Sequence, residues 1–129
     1  MTFSFGIFLL SSKEDTEKPK PKHHVIVTAY KNKKGKEPLE NWLESLKDHQ
    51  TIFRIRDRVD RIAEFNFFGD YKQINQKIYE LRFHFGPGYR IYFTYQSEEV
   101  IVILCGGDKS SQSVDITKAK QLLEESEND

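Results

Sequence analysis

The chain has 129 residues, which suffices for one domain with a moderate core and is too short for two. Hydrophobic residues make up 37% and charged residues 31% of the chain, a composition typical of a globular protein with a heavily charged surface. Lys and Arg balance Asp and Glu at 20 each, so the total charge does not indicate a nucleic-acid-binding protein. Cys105 is the single cysteine, which excludes an internal disulfide and favours a reducing compartment.

The first 23 residues differ in composition from the rest of the chain. Residues 3–10 are apolar, but they fall far short of the roughly 20 residues that a membrane span needs, and they lack the features of a signal peptide. Pro19 and Pro21 then alternate with lysines in a polar run that cannot build a core. We predict a cytoplasmic protein with a disordered or variable extension at residues 1–23 and one domain at 24–129. An added strand or a partner-binding arm is the alternative for the extension.

Two helices are predicted after a first strand. Residues 24–30 are rich in β-branched side chains and predict the strand. Pro38 suits the first turn of a helix, and apolar residues up to Leu46 follow at helical spacing. Residues 51–65 predict a longer helix, with an apolar stripe on one side and alternating arginines and acids on the other, as on a solvated helix face.

The second half of the chain predicts a sheet and a closing helix. Residues 71–74 suggest a short edge strand, whereas 79–85 and 89–95 alternate strictly between apolar and polar side chains. Residues 100–105 are apolar throughout, which is typical of a central strand covered on both faces. A helix is predicted from Ser113 onward. The order β-α-α-β-β-β-β-α predicts an α+β fold with an N-terminal helical hairpin, a mainly antiparallel sheet and a C-terminal helix.

The register of the predicted hairpin decides which side chains share a face. Gly86 and Gly88 around Pro87 permit the turn, and a slip by one residue would turn the apolar set of a strand outward. Burying the apolar side chains of both strands together therefore fixes the parity. We expect the opposite face to carry four side chains next to one another: Arg82, His84, Arg90 and Tyr92.

Two explanations account for arginines placed side by side. Glu80 on the same strand would neutralise them in an internal ion network, or a bound phosphate would do so, since the guanidinium fork matches phosphate oxygens. The residues alone leave both open. A third cation, Lys109, follows Gly106 and Gly107, which we expect to turn the backbone sharply and bring it close to a ligand.

Other motifs point to no cofactor and no metal. The segment 106–110 lacks the first glycine of a phosphate-binding P-loop, and 86–88 lacks the third glycine of a dinucleotide motif. His23, His24, His84 and Cys105 do not have the spacing of metal ligands. Cys105 ends an apolar strand and is expected to be inert.

The assembled pattern resembles the RelE/ParE superfamily of type II toxin–antitoxin toxins, and within it the HigB-like addiction-module killer proteins. The resemblance covers roughly residues 24–123 and rests on the motifs FGDYK (68–72), YELR (79–82), GPGYRIYF (86–93) and GGDKS (106–110). Positions 42–43, 104, 112, 115–116 and 119 also match. It implies a toxin that cleaves mRNA on the ribosome and is neutralised by a cognate antitoxin, expected to be a small helix-turn-helix protein.

The resemblance also implies roles for the cationic residues. Arg90 is expected to stabilise the transition state, supported by Arg82, while Lys109 binds phosphate or assists proton transfer. Glu80 or His84 is the candidate general base, and the two candidates stay open.

Five further residues are expected to contact RNA. Lys72 and Lys77 would contact the backbone, and Tyr92 would stack or form a hydrogen bond. Ser110 and Gln112 would bind phosphate or, as we favour on chemical grounds for the serine, cap the last helix.

This chain departs from some members of that superfamily. Some have a lysine pair where this chain has Glu80 and Arg82, and a catalytic tyrosine where it has Ile116. The same fold also serves toxins of the ParE kind, which block DNA gyrase without catalysis. A non-toxic module whose arginines only hold an acidic antitoxin segment is a third interpretation.

Overall fold

The computed structural model describes residues 25–128, so the predicted extension at 1–23 lies outside the described residues. It has the α+β class and the mostly antiparallel sheet that the sequence predicts. The strands are β1 (Ile26–Ala29), β2 (Tyr71–Gln73), β3 (Tyr79–Arg82), β4 (Tyr89–Ser97) and β5 (Val100–Asp108). The helices are α1 (Pro38–Leu46), α2 (His49–Phe65) and α3 (Gln112–Asn128), and a short 3-10 turn (Lys109–Ser111) precedes α3.

The five strands form one sheet in the order β1-β5-β4-β3-β2. Strand β1 runs parallel to β5, and every other neighbouring pair is antiparallel. In the central hairpin Leu81 lies opposite Ile91, and Arg82 lies opposite Arg90. The predicted register parity is therefore confirmed.

Helices α1 and α2 cover one face of the sheet, called here the hairpin face. Asp48 caps α2 because its side chain accepts hydrogen bonds from the backbone of Gln50 and Thr51. The core between these helices and the sheet is entirely apolar. Its most deeply buried members are Leu43, Ile55, Leu81, Ile91, Phe93 and Ile101.

Helix α3 covers the opposite face, called here the α3 face. Ala119 and Leu122 of the helix pack with Leu104 and Cys105 of β5. Tyr92 of β4 is also fully buried in this layer. Within residues 25–128, no helix combines the length and the apolar character needed to cross a membrane.

The glycine pair at positions 106 and 107 corrects one prediction. These residues do not form a turn but extend β5 to Asp108. The reason is packing, because a Cβ on Gly106 would overlap the Trp42 ring of α1 and a Cβ on Gly107 would overlap the Asp115 carboxylate of α3. The glycines thus let a helix approach each face of the same strand.

The predicted strand over residues 79–85 is also shorter than expected. Strand β3 ends at Arg82, and a turn with positive φ angles at Gly86 (56°) and Gly88 (80°) leads into β4. The backbone N–H of Phe83 still donates to the carbonyl of Tyr89 at 3.0 Å. His84 follows the last of these backbone hydrogen bonds, so its side chain does not have to point to the face that strand alternation would give it.

Candidate functional site

Two arginines and one carboxylate meet on the α3 face. Arg82 and Arg90 lie directly opposite each other on β3 and β4. Glu80, two residues before Arg82 and hence on the same face, is fully buried. The Nε of Arg82 donates to Oε1 of Glu80 at 3.2 Å, and the Nε of Arg90 lies 3.8 Å from Oε2. One carboxylate therefore lies between two guanidinium groups.

Two neutral donors complete the surroundings of this carboxylate. The Tyr92 hydroxyl donates to Oε2 of Glu80 at 3.0 Å, and Nε2 of Gln112 donates to the same oxygen at 2.6 Å. Burial and the charge of Glu80 raise the pKa of Tyr92 far above its usual value, so the phenol stays protonated and remains a donor. Glu80 thus forms the internal ion network that the sequence left open.

Arg90 is held at the edge between the core and solvent. Its side chain is 11% exposed, against 30% for Arg82. Its Nη1 donates to the carbonyls of Gly88 and Tyr89 at 3.3 and 3.4 Å. Its Nε is buried and makes no hydrogen bond of its own. A buried donor without a hydrogen bond is uncommon and is a feature that needs an explanation.

Lys109 lies beside Arg90 at the exposed end of this cluster. A Cβ on Gly88 would lie 3.4 Å from Cβ of Lys109 and 3.7 Å from Nη1 of Arg90. Gly88 therefore separates the two cations without a side chain of its own. We define the cationic cluster as Arg82, Arg90 and Lys109. Glu80 is the carboxylate buried between the two arginines, whereas Asp70 near Arg82 and Asp108 before Lys109 are closer to solvent.

The turn that positions Lys109 is held by its own hydrogen bonds. The Asp108 carboxylate accepts from the backbone N–H and the hydroxyl of Ser110 at 2.8 and 2.6 Å. These bonds hold the pKa of Asp108 below its ordinary value. Ser111 donates to Oδ2 of Asp115 at 2.5 Å. Asp108 is therefore the cap of this turn, Ser111 completes the capping box by accepting from the Asp108 N–H at 3.3 Å, and Ser110, which the sequence favoured as a cap of the last helix, is a donor to Asp108.

His84 does not join the cationic cluster on the α3 face. Because β3 ends two residues earlier, its ring turns to Asp70, with Nε2 2.5 Å from Oδ2, and it is exposed. The hydrogen bond with His84 is the main reason that the pKa of Asp70 is lowered, and the charge of Arg82 adds to the effect. The pair thus lies near Arg82 but on another side of it. This placement corrects the predicted row of four side chains.

A match to a known protein family covers most of this architecture. Residues 41–124 match the family described as Phage derived protein Gp49-like (DUF891). The chain belongs to this Gp49-like family. A protein of Haemophilus influenzae, described as an uncharacterized protein, is 43% identical over 86 residues, which are 67% of this chain and 86% of the relative. The Gp49-like family is one of RelE-like, addiction-module-killer-like toxins and is associated with toxin–antitoxin systems.

Besides Ser110, described above, four residues of this Gp49-like protein were predicted to contact RNA, and they lie in different surroundings. Lys72 is exposed on β2, opposite Glu80 and hence on the side of the cationic cluster. Lys77 is exposed but pairs with Glu127 near the end of α3 at 2.9 Å. Tyr92 is fully buried and so does not present a ring for stacking. Gln112 is engaged with Glu80, as shown above. Lys72 alone of these four lies beside the cluster with an exposed cation.

Sequence reasoning missed Arg58, which appeared to belong to a solvated helix face. Its guanidinium group donates to the carbonyls of Phe68, Asp70 and Arg82, and so ties α2 to the end of β3. Burial lowers its pKa. The sequence feature that accompanies this contact is Gly69. Its φ is +70°, and a Cβ at this position would lie 3.0 Å from the Arg58 guanidinium, so a glycine is needed where Arg58 packs.

The Cys105 thiol and the possibility of a bound metal ion also bear on the chemistry of the site. Burial raises the pKa of the Cys105 thiol to about 12, so it stays protonated near neutral pH and the expected inertness fits this position. Among residues 25–128, no three His, Cys, Asp or Glu side chains are grouped so as to hold a metal ion.

Proposed function

We propose that this protein is the toxin of a type II toxin–antitoxin system, of the HigB-like kind within the RelE/ParE superfamily. Its activity is ribosome-dependent cleavage of mRNA, which inhibits translation in the cytoplasm. The observation that carries the proposal is the pair of arginines facing each other across β3 and β4 over one shared carboxylate. With Lys109 the cluster gathers three cationic side chains around one buried carboxylate, which suits a phosphodiester and its more highly charged transition state.

The reaction needs no redox partner or co-reactant. The 2′-oxygen loses its proton and attacks the neighbouring phosphorus, and the bond from phosphorus to the 5′-oxygen breaks. The leaving oxygen takes up a proton, and the products are a 2′,3′-cyclic phosphate and a 5′-hydroxyl. Negative charge develops on the phosphate oxygens in between, so preorganised cations accelerate the step.

The positions of the three cations support distinct roles. Arg90 is fixed by two backbone carbonyls and is nearly buried, so its charge acts in a weakly screened environment and stabilises the transition state. Arg82 is more exposed and binds the same phosphate from the facing strand. Lys109 lies at the solvent side, where it binds phosphate or donates the proton to the leaving oxygen.

The two base candidates occupy different environments. Glu80 is fully buried and already accepts hydrogen bonds from Arg82, Tyr92 and Gln112, so we assign it the positioning of the arginines. His84 is exposed and oriented by Asp70 outside the cationic cluster, and we propose that it removes the 2′-hydroxyl proton of the nucleotide that approaches Arg82 from this side.

A cognate antitoxin is the expected partner, since the family is associated with toxin–antitoxin systems. We propose a small helix-turn-helix protein with an acidic segment that occupies the cationic cluster. Such a segment would bind the same guanidinium groups that hold the RNA phosphate, which explains neutralisation by direct competition.

Expression of the wild-type chain and of Arg90→Ala in a bacterial host tests this function. We expect the wild type to stop protein synthesis and to produce new 5′ ends within coding sequences, and Arg90→Ala to do neither. Intact mRNA with arrested DNA synthesis would contradict the ribonuclease and favour gyrase inhibition. Growth without any toxicity would favour a module that only binds an antitoxin.

A further inference from the structure

A second surface with aromatic and cationic side chains lies on the outer side of α2. It is a groove of about 400 Å³ whose lining includes Phe53, Arg54, Arg61, Phe67 and Phe85. We call it the aromatic–arginine groove. It is separate from the cationic cluster, since neither Arg90 nor Lys109 lines it.

The groove exposes large apolar rings to water. The exposed fraction is 67% for Phe53 and 57% for Phe67. Neither ring is needed to fill the core under α2, which is formed by fully or nearly fully buried residues such as Ile55 and Ile62. Exposed aromatic rings gathered in one concave surface are typical of a binding site.

Guanidinium groups line the same groove. The Arg54 guanidinium carbon is 3.7 Å from the centroid of the Phe85 ring, so the group stacks on the ring and its N–H donors point outward in its plane. Arg61 pairs with Asp57 at 3.1 Å, and both side chains are about half exposed. Asp57 is the one acidic residue among the residues of the described part that line the groove. The surface is thus positive as well as aromatic.

The groove adjoins the cationic cluster through the end of β3. Arg58 lines the groove and donates to the carbonyl of Arg82. His84 also lines the groove and bonds to Asp70, which is close enough to Arg82 to feel its charge. The groove lies on the α2 side of the sheet and the cluster on the α3 face, and the two meet at the backbone of Arg82, so an RNA strand bound at Arg82 would pass around the end of β3 to reach the groove.

We propose that the aromatic–arginine groove binds unpaired bases of single-stranded RNA that flank the phosphate held at the cationic cluster. Bases stack on Phe53 and Phe67, while Arg54 and Arg61 bind the backbone. Flat rings with adjacent guanidinium groups match RNA because every base has an aromatic face and every nucleotide brings one phosphate. An acidic peptide would use the charges but not the exposed rings. The proposal rests on the proposed function, since it extends the same substrate.

Fluorescence anisotropy with a labelled ten-nucleotide oligouridylate tests the groove on the full chain. Loss of stacking by the double change Phe53→Ala and Phe67→Ala is expected to weaken binding by about tenfold or more. Phe65→Ala is the matched control, because Phe65 is 68% exposed on the same helix but does not line the groove. Circular dichroism melts of all variants verify that the fold is unchanged.

An abasic strand of the same length separates stacking from charge. We expect its binding to be insensitive to the phenylalanine changes but weakened by Arg90→Ala. Oligouridylate affinity that falls equally in the double variant and in Phe65→Ala, or no binding by the wild type, would overturn the groove. Tighter binding of a decaglutamate peptide, lost when Arg54→Ala and Arg61→Ala are combined, would assign the groove to an acidic protein instead. Mapping new 5′ ends of mRNA in cells that express the wild type and Arg90→Ala tests the cleavage function independently of these binding measurements.

Discussion

The two faces of the sheet differ in the polarity of the side chains that they bury. Among the described residues, the fully buried side chains of the hairpin face are apolar, for example Leu43, Ile55 and Phe93, and the Arg58 guanidinium lies at its margin. The α3 face buries an apolar layer as well, but it also encloses the Glu80 carboxylate and the Tyr92 phenol. The same central strands serve both layers, so the difference reflects the side chains and not the backbone.

A buried charge is costly unless it is paired and hydrogen-bonded, and an apolar replacement of similar volume often gives equal or better stability. The hairpin face therefore stabilises the fold by apolar burial, whereas the buried charge on the α3 face adds little net stability while it stays paired but is costly to unpair. The α3 face holds Arg82 and Arg90 in one geometry at the rim of the core, which is an arrangement suited to binding an anion. Four experiments with five substitutions test this contrast between a stabilising face and a positioning face.

The largest effect is expected from Glu80→Ala. The change leaves two partly buried guanidinium groups without their carboxylate, and we expect the free energy of unfolding to fall by about 3–5 kcal/mol. Urea denaturation measures it. Glu40→Ala is the control, because Glu40 forms a 2.7 Å pair with Arg56 that is partly exposed to solvent, for which we expect about 1 kcal/mol or less. Similar losses in both variants would contradict the network.

Changing the two glycines of β5 compares the faces within one strand. Gly106→Ala forces the Trp42 ring of α1 to move, and we expect a loss of about 1–3 kcal/mol in thermal or urea unfolding. Gly107→Ala meets the Asp115 carboxylate, which can rotate away by giving up its hydrogen bond from Ser111, so the stability loss should be that of one hydrogen bond, about 1 kcal/mol. Its main effect should fall on cleavage, because α3 carries Gln112. A larger stability loss for Gly107→Ala than for Gly106→Ala would contradict the assignment of stability to the hairpin face and of positioning to the α3 face.

Tyr92→Phe removes one hydrogen bond from the buried carboxylate. We expect a loss of about 1.5 kcal/mol near neutral pH, as for hydrogen bonds to charged groups. Because the folded-state pKa of Tyr92 is raised above the usual value of 10.0, the wild type should lose stability as the pH rises above about 10. Urea titrations at several pH values should show a shallower alkaline loss in Tyr92→Phe. Parallel pH profiles would refute this explanation.

The smallest effect is expected from Lys77→Gln. Its exposed pair with Glu127 lies near the C-terminal end of α3, whereas Gln112 at the N-terminal end contacts the site. Fifteen residues of helix separate these ends by roughly 22 Å. We expect a stability change of about 0.5 kcal/mol or less and an unchanged rate of mRNA cleavage. A clear drop in cleavage would restore Lys77 as an RNA contact.

The sequence could predict the face on which each side chain lies, but not what covers that face. Alternation with a period of two is enough to place Arg82 and Arg90 on the same face, because a slip by one residue would expose the apolar set, and the structure then shows the two residues directly opposite each other. The cover depends on how α3 packs, which no local pattern encodes. Hence Tyr92 looked like a stacking group, although α3 buries it completely.

The roles of the glycine pair in β5 and of the arginine on α2 could not be predicted for a related reason. Gly106 and Gly107 are common turn residues, yet here they serve close packing of α1 and α3 against an extended strand. Arg58 fits a solvated helix pattern, yet it donates to three backbone carbonyls far along the chain. In both cases a contact between distant segments outweighs the local preference.

The most direct test of the account is the rate of mRNA cleavage on programmed ribosomes by wild type and Arg90→Ala at saturating toxin. If Arg90 stabilises the charged transition state, its loss should slow cleavage by about 10²–10³-fold, as for removal of a single preorganised donor. Arg56→Ala, which breaks only the pair with Glu40 on the hairpin side, should leave the rate unchanged. Cleavage by Arg90→Ala within twofold of the wild-type rate would contradict the claim that the paired arginines hold the reacting phosphate.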